Sequence, residues 1–429
     1  MSTRQEKELN TEEISNFLIE MCEKSRIASK HLSLMNSHEK NNCLVAMAEA
    51  IERDSDDIIK ANKKDLKNGE EKGLSSALLD RLMLDKKRIK AMADGLKELV
   101  SLEDPVGKII SYWVRPNGLL INKVSVPIGV ICIIYESRPN VTVDAAGLCF
   151  KAGNAVILRG GSESINSNLI LSHVMNRAGV RFGLPDGAIQ LVPWTDRSAV
   201  NQLLKMDNYI DLVIPRGGES LIRMVVEQST IPVIKHYKGI CHIYVDEKCS
   251  FDMALSIIEN AKCQRPGVCN AVETVLIHQN IAKDFVPRFY SFLDGKDVEM
   301  RGDPEFLKYA PNAKTASEKD WFTEYLELIL SVKIVSSLTE AIDHINFYGS
   351  KHSDAIITDI KENAERFMRE VDSATVYVNA STRFTDGVQF GMGAEIGIST
   401  DKLHARGPMG LPELTTYMYL IYGNGQIRV

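Results

Sequence analysis

No stretch of this 429-residue chain is apolar for long enough to cross a bilayer. The longest such run, residues 126–135, has ten residues, about half of the roughly 20 that a spanning helix needs. The first ten residues are polar and carry no apolar core of the kind a secretory leader requires. Charge of one sign is also lacking: 57 acidic against 51 basic residues leave a net −6, which gives no electrostatic reason to expect a nucleic-acid partner. The eight cysteines have no regular spacing, and that pattern points to a reducing compartment, the cytoplasm. Cys263 and Cys269 stand as Cys-x5-Cys with no second pair or His-x3-5-His after them, so a zinc site is excluded. There is no repeat, no low-complexity segment and no Walker A motif. A Rossmann fingerprint is also missing, since in Gly391-Met392-Gly393-Ala394-Glu395-Ile396 an Ile stands where the third Gly must be.

What is present suits two or three domains, with 44% hydrophobic and 25% charged residues. Residues 11 to about 100 read as helical: Ile89, Met92, Ala93 and Leu96 follow i, i+3, i+4, i+7 spacing, and Gly73 separates two helical blocks. Residues 112–115 and 119–124 flank Pro116-Asn117-Gly118 as strand, turn, strand. A lone hairpin is marginal, and residues 415–422 near the C-terminus supply a further strand. An oligomerisation flap and a hairpin packed inside the monomer are both open. From 126 to 233, short β-branched runs (128–135, 155–158, 189–192, 210–214, 231–234) alternate with helical ones (167–178, 196–206, 219–228), the pattern of a parallel, doubly wound sheet. Such sheets bind nucleotides at strand carboxyl ends. Two loops qualify, Arg159-Gly160-Gly161-Ser162-Glu163 and Pro215-Arg216-Gly217-Gly218-Glu219-Ser220. Paired glycines before a helix can admit a phosphate, or can simply be a turn. Residues from 235 to about 400 read as a second α/β unit.

The centre of that unit is Lys262-Cys263-Gln264-Arg265-Pro266-Gly267-Val268-Cys269-Asn270. A helical run precedes it, a buried strand follows, and Pro266-Gly267 breaks the chain between them. Cys269 is therefore a candidate nucleophile on a tight loop, whereas Cys263 reads as a small core residue. A free thiol of pKa about 8.5 is only a few per cent ionised at neutral pH. Lowering it to about 7 takes roughly 2 kcal/mol of anion stabilisation, within reach of Arg265 or inward-turned N–H groups.

Taken together, Val126-Pro127-Ile128-Gly129-Val130-Ile131, Lys151-Ala152-Gly153-Asn154-Ala155-Val156-Ile157-Leu158, the Cys269 loop and the aromatic tail resemble the aldehyde dehydrogenase superfamily. Within it, Gln264 to Ala271 and the run Ala341-Ile342-Asp343-His344-Ile345-Asn346-Phe347-Tyr348-Gly349-Ser350-Lys351-His352-Ser353-Asp354-Ala355-Ile356 resemble the gamma-glutamyl phosphate reductase family. The resemblance implies an α/β fold. Residues 1–108, 127–235 and about 398–412 would form a Rossmann-type nucleotide-binding domain, 236–397 an α/β catalytic domain, and 109–126 with 413–429 a small β oligomerisation flap.

The resemblance also implies a reaction, the NADPH-dependent reduction of L-glutamate 5-phosphate to L-glutamate 5-semialdehyde through a Cys269 thioacyl-enzyme, a step of proline biosynthesis. The relatives in higher eukaryotes are fused to a glutamate kinase. None precedes Met1 here, so a stand-alone, microbial-type homo-oligomer functionally coupled to a kinase is expected. Asn140, read as part of a loop over 135–141, would be the oxyanion amide, or a structural residue. By position Arg159 and Glu324 match the family's cofactor-ribose contacts, or lie idle on the surface. With them Gly160, Gly161, Ser162, Gly217 and Gly218 complete the cofactor set, and Arg138, Arg265 and Arg383 are the cations offered to the substrate's carboxylate and phosphate. The roles of His344 and His352 stay open. Two other readings compete: an NAD(P)-dependent dehydrogenase oxidising a small aldehyde to an acid, and a catalytically silent binding protein on the same fold. The first needs a carboxylate to activate water, and the segment where it belongs, 236–245, contains no acid.

Overall fold

The computed structural model describes residues 11–428. They form two compact units. The first runs to Lys235 and takes in Met392–Gly397 and the segment from Met409 onward; the second is His236–Gly391 with Ile398–Pro408. The expected division ran between 397 and 398. Ile398–Pro408 instead closes on itself as a small antiparallel ribbon, pairing Ile398 with Pro408 and Ser399 with Gly407.

The first unit begins with five helices, Thr11–Leu32, Ser37–Arg53, Ser55–Glu71, Ser76–Leu82 and Lys86–Ser101. Local chemistry sets their ends. Asn36 and Glu39 form a capping box, the Asp85 carboxylate accepts from the Arg88 N–H at 2.7 Å, and Gly73 (φ 72°) closes the third helix in a conformation that favours glycine. In Lys86–Ser101 the residues Ile89, Met92, Ala93 and Leu96 are all buried. The stripe read from the sequence is thus the core face.

A four-stranded parallel sheet follows, in the order Ile189–Leu191, Ala155–Arg159, Val130–Tyr135, Leu212–Arg216. Val130–Tyr135 is buried at every residue, which explains its unbroken apolar sequence. The strand expected at 231–234 is reduced to one bridge, Val213 to Val233, because Pro232 has no N–H to extend the ladder. The helix Asn140–Lys151 begins where a loop was expected. The hairpin Ile109–Val114 and Leu120–Pro127 joins Thr415–Tyr422 in an antiparallel sheet, with Ile121 opposite Ile421 and Val124 opposite Met418. Its outer residues Tyr112, Val114, Tyr417, Ile421 and Tyr422 are exposed.

The second unit is built on a seven-stranded, wholly parallel sheet. Its order is Lys314–Thr315, Glu299–Gly302, Ile329–Val335, Val272–His278, Cys241–Val245, Ser353–Ile357, Thr375–Val378. Ile243, Val275, Val332, Phe285 and Phe289 pack the core on one side of it. The Cys269 loop connects the helix Phe251–Cys263 to Val272–His278 near the middle of this sheet. Both ends of the loop are therefore anchored in rigid structure.

Candidate active site

Cys269 is half-buried in that loop. A second thiol lies against its backbone: Cys241, at the start of the adjacent strand, is buried and its Sγ donates to the Cys269 carbonyl at 3.3 Å. Burial, reinforced by Asp354, pushes the Cys241 thiol well up, so it remains protonated. Burial also raises the Cys263 thiol. Among the described residues no cysteine is in a disulfide.

The segment where a hydrolytic dehydrogenase would need its acid passes directly beside Cys269. Gly239 lies so close that a Cβ there would sit 2.0 Å from the Cys269 carbonyl oxygen and 2.5 Å from its Cα. Only a residue without a side chain fits. The acids of the neighbouring strands are committed elsewhere. Asp354 accepts from the His242 N–H at 2.8 Å and lies 3.1 Å from its Nδ1, and Asp246 accepts from Tyr244 Oη and Thr358 Oγ1.

Asn270, next to Cys269, is a strut. Its Nδ2 donates to the carbonyls of Arg383 (3.3 Å) and Thr385 (2.9 Å), and its Oδ1 accepts from the Arg383 guanidinium. Arg383 Nε also donates to Gln264 Oε1 at 3.1 Å. Burial, and then the nearby Arg265, depress the Arg383 pKa. Two of the three nominated cations are thereby brought together at the loop, an arrangement that an anion would relieve. Arg138 lies in the first unit and is exposed.

Two features of this unit were not legible in the sequence. Lys262 and Glu273 flank the loop, and their side chains form a fully buried ion pair at 2.6 Å. Burial, only partly offset by Lys262, raises the Glu273 carboxyl to about 7. Glu324 accepts from the Gly239 N–H at 2.9 Å. His344 and His352 are buried, and among the described residues neither faces a charge of opposite sign. Burial lowers them to about 2 and about 3. His352 Nδ1 bonds Ser353 Oγ at 2.8 Å, whereas neither ring nitrogen of His344 has a partner among the described residues.

In the first unit, Arg159 ends its strand with Nη2 donating to the Thr195 carbonyl at 2.7 Å. Its Nε is buried and has no hydrogen-bond partner among the described residues. Gly160 packs on Asn168 and Tyr135, and Gly161 on the Glu163 carboxylate. That carboxylate accepts from the Ser137 N–H (3.1 Å), Ser137 Oγ (2.5 Å) and Ser162 Oγ (3.2 Å). In the second glycine pair the Gly218 N–H donates to Glu136 at 2.9 Å, and Gly217 adjoins the same carboxylate. An anion bound there must displace Glu136. Asn140 is the first residue of its helix, not a loop residue, and its Nδ2 donates to Asp144 Oδ2 at 2.8 Å. Burial raises Asp144 to about 6.

A model of the aldehyde dehydrogenase family matches residues 15–320. A gamma-glutamyl phosphate reductase of Caldanaerobacter subterraneus subsp. tengcongensis is 58% identical over 407 residues, 95% of this chain and 98% of that one. One from Geobacter metallireducens is 57% identical over 404 residues, 94% and 97% of the two chains. The chain belongs to the aldehyde dehydrogenase family, among the gamma-glutamyl phosphate reductases. A crystal structure of a gamma-glutamyl phosphate reductase from Thermotoga maritima superposes with a TM-score of 0.95 at 45% identity, covering 96% of this chain and 100% of that one. Membership of the aldehyde dehydrogenase family implies a nicotinamide cofactor. The first unit has groups that suit one: the orphaned Arg159 Nε at a strand carboxyl end, and the serine-lined turn Ser162–Ser164 that opens the helix Ile165–Val180.

Proposed function

We propose that this chain reduces L-glutamate 5-phosphate to L-glutamate 5-semialdehyde with NADPH, releasing phosphate in the path to proline. The observation that carries the reading is Gly239. Position 239, pressed against the Cys269 backbone, admits no side chain, residues 236–245 include no acid, and the nearby Glu324 carboxylate is engaged by the Gly239 N–H. The Cys269 thiolate attacks the acyl carbon of the acyl phosphate, a C–S bond forms, the C–O bond to phosphate breaks, and phosphate departs. NADPH, when bound, supplies a hydride to the thioester carbon. The C–S bond then breaks, and Cys269 leaves as thiolate from the aldehyde. Asn140 and the Cys269 N–H are the donors proposed for the oxyanion, and Arg138, Arg265 and Arg383 the cations for carboxylate and phosphate. Arg159, Gly160, Gly161, Ser162, Gly217, Gly218 and Glu324 are the proposed cofactor contacts, with Arg159 Nε the best placed to gain a partner.

The exposed three-stranded sheet is proposed as the face between copies in a homo-oligomer. The lability of an acyl phosphate favours supply by a nearby kinase in the cytoplasm. The test is NADPH oxidation with the acyl phosphate generated in place by a glutamate kinase and ATP, and the product trapped as its cyclic pyrroline. Oxidation dependent on kinase, glutamate and ATP is expected, faster with NADPH than with NADH. Reduction of NADP by simple aldehydes, with no response to the acyl phosphate, would favour the aldehyde-oxidising alternative instead.

A further inference from the structure

The turn that carries Glu324 is fixed from two sides. Leu326 has a left-handed backbone (φ 57°), a conformation that a bulky residue adopts only when its surroundings enforce it. Its N–H donates to Glu273 Oε1 at 3.2 Å, and the other oxygen of that carboxylate holds buried Lys262 at 2.6 Å. Between them Tyr325 Oη bonds Asp320 (2.7 Å) and Ser331 (2.8 Å). From this turn the Glu324 carboxylate reaches out to the Gly239 N–H. Gly239 is the residue pressed against the Cys269 Cα and carbonyl. One path of direct contacts thus joins the two ends of the nucleophile loop, through Lys262, Glu273, Leu326, Glu324 and Gly239, to the nucleophile itself.

We propose that Glu324 is a positioning residue for Cys269: it holds Gly239 against the nucleophile's backbone, on a turn that the Lys262–Glu273 pair locks. This rests on Cys269 being the nucleophile and goes beyond the cofactor contact implied for Glu324 by the family. A carboxylate is a strong acceptor for a backbone N–H, and Gln retains an acceptor oxygen where Ala has none. Loosening Gly239 frees the Cys269 peptide planes to turn. The sulfur turns with its backbone, so its exposure to the loop's N–H dipoles and its attack geometry change together, which alters how readily the thiolate forms and reacts.

The test uses the full chain without cofactor, where a ribose contact cannot matter. Iodoacetamide alkylation of Cys269 is followed by peptide mass spectrometry across pH 6–9 in the wild type, Glu324→Ala and Glu324→Gln. NADPH affinity is measured in parallel by fluorescence. Glu324→Ala is expected to slow Cys269 alkylation at pH 7 at least about fivefold and to move its pH profile upward, with Glu324→Gln recovering most of the rate. Alkylation at the wild-type rate in Glu324→Ala, with only NADPH binding weakened, would overturn the proposal and leave Glu324 as a cofactor contact. Should Glu324→Ala fail to fold, Glu324→Met, which keeps the bulk and loses the acceptor oxygen, decides: slowed alkylation supports the positioning role, and a wild-type profile overturns it. Failure of the nucleophile reading shows separately, as alkylated Cys269 that leaves turnover intact.

Discussion

In the first unit the acids at the strand ends, Glu136 and Glu163, bond to loop N–H and hydroxyl groups while still reaching solvent. In the second, Lys262, Glu273, His242 and Asp354 are sealed from it. The two arrangements respond differently to a ligand. A solvated carboxylate gives way to an incoming phosphate at little cost, because water replaces its lost bonds. A buried ion pair cannot open without leaving a bare charge in a low-dielectric interior. The acids beside the glycine loops of the first unit can therefore yield to a ligand, whereas the pair flanking the Cys269 loop resists opening.

The largest expected effect strikes the fixed region. Cys269→Ser should abolish turnover while leaving the fold and NADPH binding unchanged, since a Ser hydroxyl without a paired base is a far weaker nucleophile. Cys263→Ser should retain most activity. Equal losses in steady-state assays of the two variants would remove Cys269 from its role.

Stability measurements by urea denaturation sharpen the contrast next. Glu273→Gln strands the Lys262 ammonium and should cost about 3 kcal/mol or more. Glu136→Gln in the first unit should shift stability by less than about 1 kcal/mol. Similar losses in both would break the distinction between the two regions.

A smaller effect comes from the buried histidines. His344 titrates in the fold near 2, against about 6.5 unfolded. Between these values the unfolded chain binds the extra proton, so stability falls as pH drops below about 6.5. From pH 7 to pH 5 the loss from this one residue is about 2 kcal/mol. His344→Phe should remove that part of the pH dependence, keeping the ring packing on Trp321 and Tyr348. An unchanged slope of stability with pH would mean that His344 gains a proton in the fold.

The mildest effect concerns assembly. Deleting residues 415–429 exposes Leu120–Pro127 as an open edge, and should lower the native mass in light scattering or cause aggregation. An unchanged mass would exclude the tail from the interface between copies.

Much of this architecture was legible because local pattern carries it. The hairpin and the tail strand, nearly 300 residues apart, could be matched since both are strand-like segments lacking a partner, and they do pair. The nucleophile loop was marked by Pro266-Gly267 between helical and strand periodicities. Asn140 was misplaced in a loop because Val141, Thr142 and Val143 are β-branched and hide the start of a helix. Lys262 at a helix end reads as a solvated charge. Only the fold brings Glu273 to it, and only the fold lays Gly239 on Cys269. Contacts of that range leave no period in the sequence.

Departure of a Cys269-bound acyl group to phosphate and not to water shows itself in the reverse reaction. Enzyme at high concentration is mixed with glutamate semialdehyde and NADP in phosphate-free buffer, and reduced cofactor is recorded. A burst of at most about one equivalent per site and then a halt is expected, with continuous turnover restored by added inorganic phosphate. Cyclisation of the aldehyde lowers its free concentration but cannot imitate a phosphate requirement. Sustained turnover without phosphate, with glutamate as the product, would mean that a group near Cys269 activates water and that the enzyme is a hydrolytic dehydrogenase.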